Sequence, residues 1–293
     1  MYFTDSFQSM GVLNLTPDSF SDGGKLSSHD LVSQQIQKMR TDNCKLFDFG
    51  AESTAPFNKA VSFEDEMKRF EELLYPVLKD LEADDGLSID TYKVEVMEKL
   101  MNSGKLDHKQ VVFNDVSGAL DSKLEDFLLC NPHITYVYSH NLAPDRKSTQ
   151  HHMDYLCPYY GVELKKHLVE YFEEAKNWFK GKGIENTVWF DPCFGFSKDY
   201  QQNLDLISLI PSLIEDLGPG QTWLLGISKK SFLRQLSAPD LTREEQFKRS
   251  EQAHAAILTF WQHSVTQQNQ IVIRLHDISL FQSVKRCKFL YES

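Results

Sequence analysis

Two hydrophobic periods alternate along this chain. Short, largely apolar runs recur at Gly11–Leu15, Leu46–Phe49, Leu87–Ile89, Val111–Phe113, Ile134–Tyr138, Val188–Phe190, Thr222–Leu225 and Ile271–Arg274. Between them, apolar residues return every three or four positions, the helical spacing. Met67, Phe70, Leu73, Leu74, Val77 and Leu78 form one such stripe, opened by Ser62 with Asp65 three residues on, which resembles a capping box. Pro76 predicts a kink or an early end to that helix. Leu164, Leu168, Tyr171, Phe172, Ala175, Trp178 and Phe179 form a second stripe, stopped by Gly181. A third helix is predicted near Glu245 to His263, and Asp277 is placed to cap a last one carrying Leu280, Val284 and Cys287. Strands alternating with helices predict a parallel α/β fold. Their number, on a chain of 293 residues, favours a single-domain (β/α)8 TIM barrel over an open doubly wound sheet. The stretch Asn141 to Tyr160, rich in His, Pro, Asp and Ser, predicts a long solvated loop. His151 and His152 within it are adjacent, a poor spacing for one metal-binding face.

Polar residues cluster where the predicted strands end. Asn14 closes the first. Asp48 ends the second, followed by Glu52, Ser53 and Thr54. Asp90 follows the third, Asn114 and Asp115 the fourth, His140 the fifth and Asp191 the sixth. Ser228, Lys229, Lys230 and Ser231 follow the seventh, and Arg274, His276 and Asp277 finish the eighth. In a barrel these ends share one rim, the rim on which active sites are built. Asp90, Asn114 and Asp191 suit a ring that presents amidine-like N–H groups, because a carboxylate accepts two parallel hydrogen bonds. Lys230 supplies a donor for a ring carbonyl or nitrogen. Arg274 and His276, two residues apart and so on one side of a strand, form a cationic pair at the opposite pole that suits a diphosphate. Asn14 offers an oxygen to a hard cation such as Mg2+.

Composition narrows the field. A hydrophobic content of 41% can build a core, and a net charge of −11 argues against wholesale binding to nucleic acid or to an acidic membrane surface. Five scattered cysteines without a CxxC spacing predict free thiols in a reducing cytosol rather than a disulfide framework or a zinc site. The acidic N-terminal segment MYFTDSFQSM lacks the apolar core of a secretion signal, and no apolar run reaches the length of a membrane span. The expected location is cytoplasmic.

The motifs GVLNLTPDSFSDGG (Gly11 to Gly24), GAEST, SIDT, FND, DPCFGFSK, SKKSF and VIRLHD follow one another in this order. Their ordered ensemble, from Met10 to about Ile278, closely resembles the dihydropteroate synthases, which join a pterin to p-aminobenzoate in folate synthesis. The resemblance implies that Asp90, Asn114, Asp191 and Lys230 bind the pterin ring. It implies that Asn14 holds Mg2+ or orients pyrophosphate, and that Arg274 and His276 contact the β-phosphate. Phe20 and Asp22 would ride on a mobile first loop, with Asp22 near the reacting carbon. Thr54 and Pro56 would shape the p-aminobenzoate site on a second loop, flanked by Phe196 and Ser231. It further implies sulfonamide recognition and a homodimer through the late helices.

Departures from the family pattern fall around the second substrate. The second loop reads Ser53-Thr54-Ala55-Pro56-Phe57 where the family has an arginine, with Lys59 nearby as a substitute. Cys193 and Ser197 stand at positions that are commonly glycine, and Lys229 where arginine is common. Ser139-His140-Asn141 replaces a His-Met-rich stretch. The alternatives are a non-catalytic pterin-binding paralogue, a synthase with an altered amine acceptor, and a methyltransferase sharing the pterin pocket. The motifs Arg274, His276 and the long first loop count against the last.

Overall fold

The fold follows from a period of two along each strand. The computed structural model of the chain describes residues 6–16, 26–54, 59–107, 109–236, 241–265 and 268–287. Strands β1 (Phe7–Asn14), β2 (Leu46–Gly50), β3 (Gly86–Asp90), β4 (Gln110–Asp115), β5 (Thr135–Ser139), β6 (Val188–Asp191), β7 (Thr222–Leu225) and β8 (Gln270–Leu275) close into one parallel barrel, each paired with its neighbours in the sequence and β8 with β1. The eight-stranded TIM barrel is therefore observed, and the open sheet is excluded. Each strand covers the run predicted for it to within a few residues, the largest shift being four residues at the start of β1.

Alternate residues along each strand face opposite sides of the barrel wall. One set points out beneath the helices, with Phe47, Ile89, Phe113, Tyr136, Phe190 and Trp223 buried in the main core. The other set points in. Met10, Leu46, Val112, Val137, Trp189, Leu224 and Val272 form a separate buried cluster. Two residues further along the same strands come Asp48, Asn114, Ser139, Asp191, Gly226 and Arg274. An apolar plug thus fills the barrel, and a polar layer lies directly above it at the C-terminal mouth.

The predicted stripes account for the second, fifth, eighth and ninth of the outer α-helices. These helices are α1 (His29–Thr41), α2 (Phe63–Arg69), α3 (Val94–Asn102), α4 (Ser122–Cys130), α5 (Gly161–Gly181), α6 (Tyr200–Asp216), α7 (Ser231–Gln235), α8 (Arg243–Ser264) and α9 (Ile278–Arg286). Ser62 caps α2 by accepting from Asp65 N. Beyond α2 the chain passes through a π turn, Phe70–Leu74, into a 3-10 helix, Tyr75–Asp80, whose first turn holds Pro76; the proline tightens the helix without ending it. Helix α8 starts at a capping box of Thr242 and Glu245 that the hydrophobic stripe does not reveal.

One sequence expectation fails here. The stretch read as a solvated loop contains a 3-10 helix, Arg146–Asp154, in which Arg146, Thr149, Gln150 and His152 are buried and His151 is exposed. Asp115 and Glu52 draw Arg146 and Gln150 inward and the Phe196 ring covers His152, and no local pattern announces such partners.

Candidate active site

The mouth of the barrel is built around Arg274. Its Nε donates to Asp48 Oδ2 at 2.6 Å and its Nη2 to Asp90 Oδ2 at 2.5 Å. Asp48 is fully buried and is also held by Ser88 Oγ at 2.6 Å and by Asn114 Nδ2 at 3.2 Å. Strand register explains the meeting: Asn14, Gly50, Asp90 and Asn114 are successive partners across β1 to β4. Glycines make the space. A Cβ at Gly50 would lie 3.4 Å from Asp90 Oδ2, and one at Gly226 would lie 3.5 Å from the Arg274 side chain.

This geometry revises the division into poles. Arg274 does not stand opposite the acids; it is bonded to two of them, and His276 lies further out along the same strand end. His276 Nδ1 lies 3.0 Å from Ser228 Oγ, and its Nε2 lies 3.5 Å from Asn14 Nδ2. The acidic layer and the basic end are thus joined through one strand end.

Charges in the layer are set by burial and by one another. Burial drives the Asp90 carboxyl up to about 7 while Arg274 pulls against it. Burial likewise raises Asp191 to about 6, opposed by the Cys193 N–H that Asp191 Oδ1 accepts at 2.6 Å. Lys230 is lowered by burial. Its Nζ sits 4.8 Å from the centre of the Phe196 ring, and its stem lies against Gly195. Asn114 donates inward and leaves its buried Oδ1 without a partner among the described residues. An unmet acceptor at the mouth, beside two carboxylates and an ammonium, is complementary to a flat heterocycle with several N–H groups.

The second side of the mouth is held by ion pairs. Glu52 Oε1 accepts from Val61 N at 2.9 Å, from Tyr92 Oη at 3.1 Å and from Gln150 Nε2 at 2.7 Å, and its other oxygen meets Lys93. Lys93 also bonds buried Glu66 at 2.5 Å. One carboxylate therefore ties together both ends of the loop after β2. Thr54 is half-buried at the near end and Lys59 is exposed at the far end. Phe196 is buried with Tyr92, Val116 and Cys193 and stacks on His152 at 4.1 Å between ring centres. Ser231 is exposed at the start of α7. Phe20, Asp22, Ala55, Pro56 and Phe57 lie outside the described residues.

The turn after β6 explains the two departures from glycine. Cys193 and Ser197 both adopt left-handed φ angles, 56° and 50°. Such positions cost a residue with a Cβ on the order of 1 kcal/mol or more, which is why glycine usually holds them. Here Ser197 Oγ accepts from Leu142 N at 3.0 Å and reaches Asn141 Oδ1 at 3.3 Å, contacts that glycine could not make.

Asp48, Glu52 and His140 stand on the predicted rim without an assigned task, and other members of the mouth have no place on that rim. Asp48, Ser88, Glu52, Lys93, Arg146, His140, His152 and Lys198 all support the mouth. For Asp48 and Ser88 a signal existed: each stands two residues along the inward face from a neighbour already inside the barrel. For Arg146 and His152 there was none.

Comparison with known proteins gives a consistent picture. The family described as pterin binding enzyme matches residues 10–272. The dihydropteroate synthase of Bacillus subtilis is 31% identical over 237 residues, covering 80% of this chain and 75% of that protein. That of Streptococcus pyogenes serotype M6 is 29% identical over 278 residues, covering 94% and 92%. A Xanthomonas albilineans dihydropteroate synthase solved with 4-aminobenzoic acid superposes with a TM-score of 0.72 at 25% identity, covering 99% of this chain and 94% of that one.

Proposed function

This chain belongs to the pterin binding enzyme family and, within it, to the dihydropteroate synthases, and from that premise we propose how its residues share the reaction. The activity is condensation of 6-hydroxymethyl-7,8-dihydropterin diphosphate with p-aminobenzoate to give dihydropteroate and pyrophosphate.

Asp90, Asn114, Asp191 and Lys230 hold the pterin. The carboxylates accept its ring N–H groups, the orphan Asn114 Oδ1 takes another, and Lys230 donates to the ring carbonyl or a ring nitrogen. Arg274 carries the reading. Asp48 and Asp90 fix the plane of its guanidinium through Nε and Nη2, and Nη1 has no hydrogen-bond partner among the described residues. That nitrogen, with His276 and Asn14, receives the diphosphate. The exocyclic C–O bond breaks and its electron pair leaves with pyrophosphate, whose growing charge meets donors already in position. The carboxylates below favour the cationic carbon left behind, with Asp22 on the first loop a third negative group. The arylamine nitrogen then forms the new C–N bond and releases its proton. Thr54, Pro56, Phe196 and Ser231 position the arylamine, with Phe20 on the closing loop, and loop closure keeps out competing water.

The donor set fits a Mg2+ that arrives with the diphosphate. Asp48 and Asp90 are taken up by Arg274, so Asn14 would be the protein oxygen offered, and Mg2+ commonly keeps waters and substrate phosphates around one or two protein ligands. When bound, the ion would neutralise charge on the leaving group. We further propose a single barrel domain that works in the cytoplasm as a homodimer through its late helices. No helix among the described residues is long and apolar enough to cross a membrane.

The test is pyrophosphate release by the purified protein from the pterin diphosphate and Mg2+, with and without p-aminobenzoate. Release that depends on p-aminobenzoate is expected. Binding without release would support a non-catalytic paralogue, and release supported only by other arylamines would support an altered acceptor.

A further inference from the structure

Behind the rim lies a buried cation that this chemistry does not use. Lys198 is 1% exposed. An ammonium has three N–H donors, and that of Lys198 meets three acceptors: His140 Nδ1 at 2.8 Å, Phe196 O at 3.2 Å and Cys193 O at 3.3 Å. Both carbonyls belong to the turn in which Cys193, Gly195 and Ser197 are all left-handed. Strain of that kind persists only where the surroundings over-determine the backbone. His140 anchors the arrangement from β5, since its N–H donates to Asp191 O at 2.8 Å. Because Nδ1 accepts from Lys198, the ring proton resides on Nε2 and points to His167 Nε2, 3.1 Å away.

We propose that Lys198 is a positioning residue for the reaction: its buried ammonium, bonded to His140, Cys193 and Phe196, holds the turn after β6 in the shape that presents Asp191 and Phe196 to the substrates. This rests on reading those two residues as substrate contacts. A neutral amine keeps two N–H donors and must drop one acceptor, so the turn slackens when Lys198 loses its proton. Burial pulls Lys198 down to about 8; Cys193, Cys157 and Asp191 favour its charge and Lys230 opposes it. The facing imidazoles His140, His167 and His152 are all held below the usual histidine range, chiefly by burial, and stay neutral throughout.

Two measurements between pH 6.5 and 9.5 test the idea: the affinity for 6-hydroxymethylpterin by calorimetry, and the hydrogen-exchange protection of amides 193–198 without ligand. In the wild type both fall, by about tenfold, as pH rises through about 8. Lys198→Met shows weak affinity and low protection at every pH, and Lys198→Arg restores both and removes the alkaline fall. An alkaline fall that persists unchanged in Lys198→Met arises elsewhere, in Lys230 or in the pterin itself, and overturns the proposal. Should Lys198→Met fail to fold, His140→Leu removes one acceptor of the ammonium and moves the fall to lower pH; a fall that stays in place overturns the proposal. Protection that falls while affinity does not shows a pinned turn that holds no substrate, which overturns the proposal through the site reading rather than through the pin. Unchanged protection overturns the pin itself.

Discussion

Arg146 and Arg274 are each held by two carboxylates, yet they are different devices. Arg146 engages all three nitrogens: Nε on Asp121, Nη1 on Asp115, Ser117 Oγ and Tyr92 O, and Nη2 on Ala119 O. Arg274 engages two, on Asp48 and Asp90, and its side chain is 21% exposed. Both are shifted up by their acids against the cost of burial. What separates them is saturation. A guanidinium with every nitrogen bonded ties loops together and has nothing left for a ligand. One oriented on two nitrogens, with the third unbonded among the described residues, is suited to receive an anion, its ordering cost already met during folding.

Removing each arginine should therefore fail in a different way. Arg146→Ala leaves buried Asp115 without its cation and should cost about 3–5 kcal/mol of stability, read by denaturant unfolding. A loss below 1 kcal/mol would show that the saturated pair is dispensable. Arg274→Ala also leaves buried Asp48 without its cation and should lose stability, but its distinguishing effect should be a fall in kcat of about a hundred- to a thousandfold, the usual consequence of removing one donor to a developing oxyanion, measured under conditions where the variant is folded. Full turnover at ordinary substrate levels would contradict the role given to Arg274. Asp191→Asn keeps the shape and loses the charge, so it should weaken pterin binding by about tenfold with a smaller effect on stability, as measured by calorimetry.

The acids sharpen the comparison through pH. Asp191 is raised to about 6, so below that pH it is protonated and can no longer accept two ring N–H groups. Pterin affinity should fall as pH drops through about 7 and then about 6, as Asp90 and then Asp191 take up protons, and Asp191→Asn should remove the lower step. The smallest effect concerns Ser197. Glycine there would relieve a left-handed φ and forfeit the bonds to Leu142 and Asn141, so Ser197→Gly should change stability by no more than about 1 kcal/mol. A larger loss would mean that the hydroxyl, rather than the backbone, sets the turn.

The barrel and much of its rim were legible in the chain. Alternation of period two places a polar residue next to an apolar one on the same inward face, so Asn114 after Val112, Asp191 after Trp189 and Arg274 after Val272 stand out without coordinates. Asp48 was visible as a rim residue, but its partnership with Arg274, 226 positions away, was not. The stretch from Asn141 to Tyr160 misled because its polarity matches that of a solvated loop. Polarity alone does not distinguish a side chain facing water from one facing Asp115.

Local sequence by itself determined where the strands and the most amphipathic helices form and which of their side chains share a face, because those follow from backbone geometry and the repeat of apolar positions. Tertiary structure alone decided which charges meet. It bonded Arg274 into the acids instead of opposite them, buried His152 while exposing its neighbour His151, and drew Lys198 inside to meet three acceptors from distant and nearby parts of the chain. The physical reason is that an ion pair or a buried hydrogen bond depends on distances of about three ångströms between residues whose separation along the chain carries no information about them.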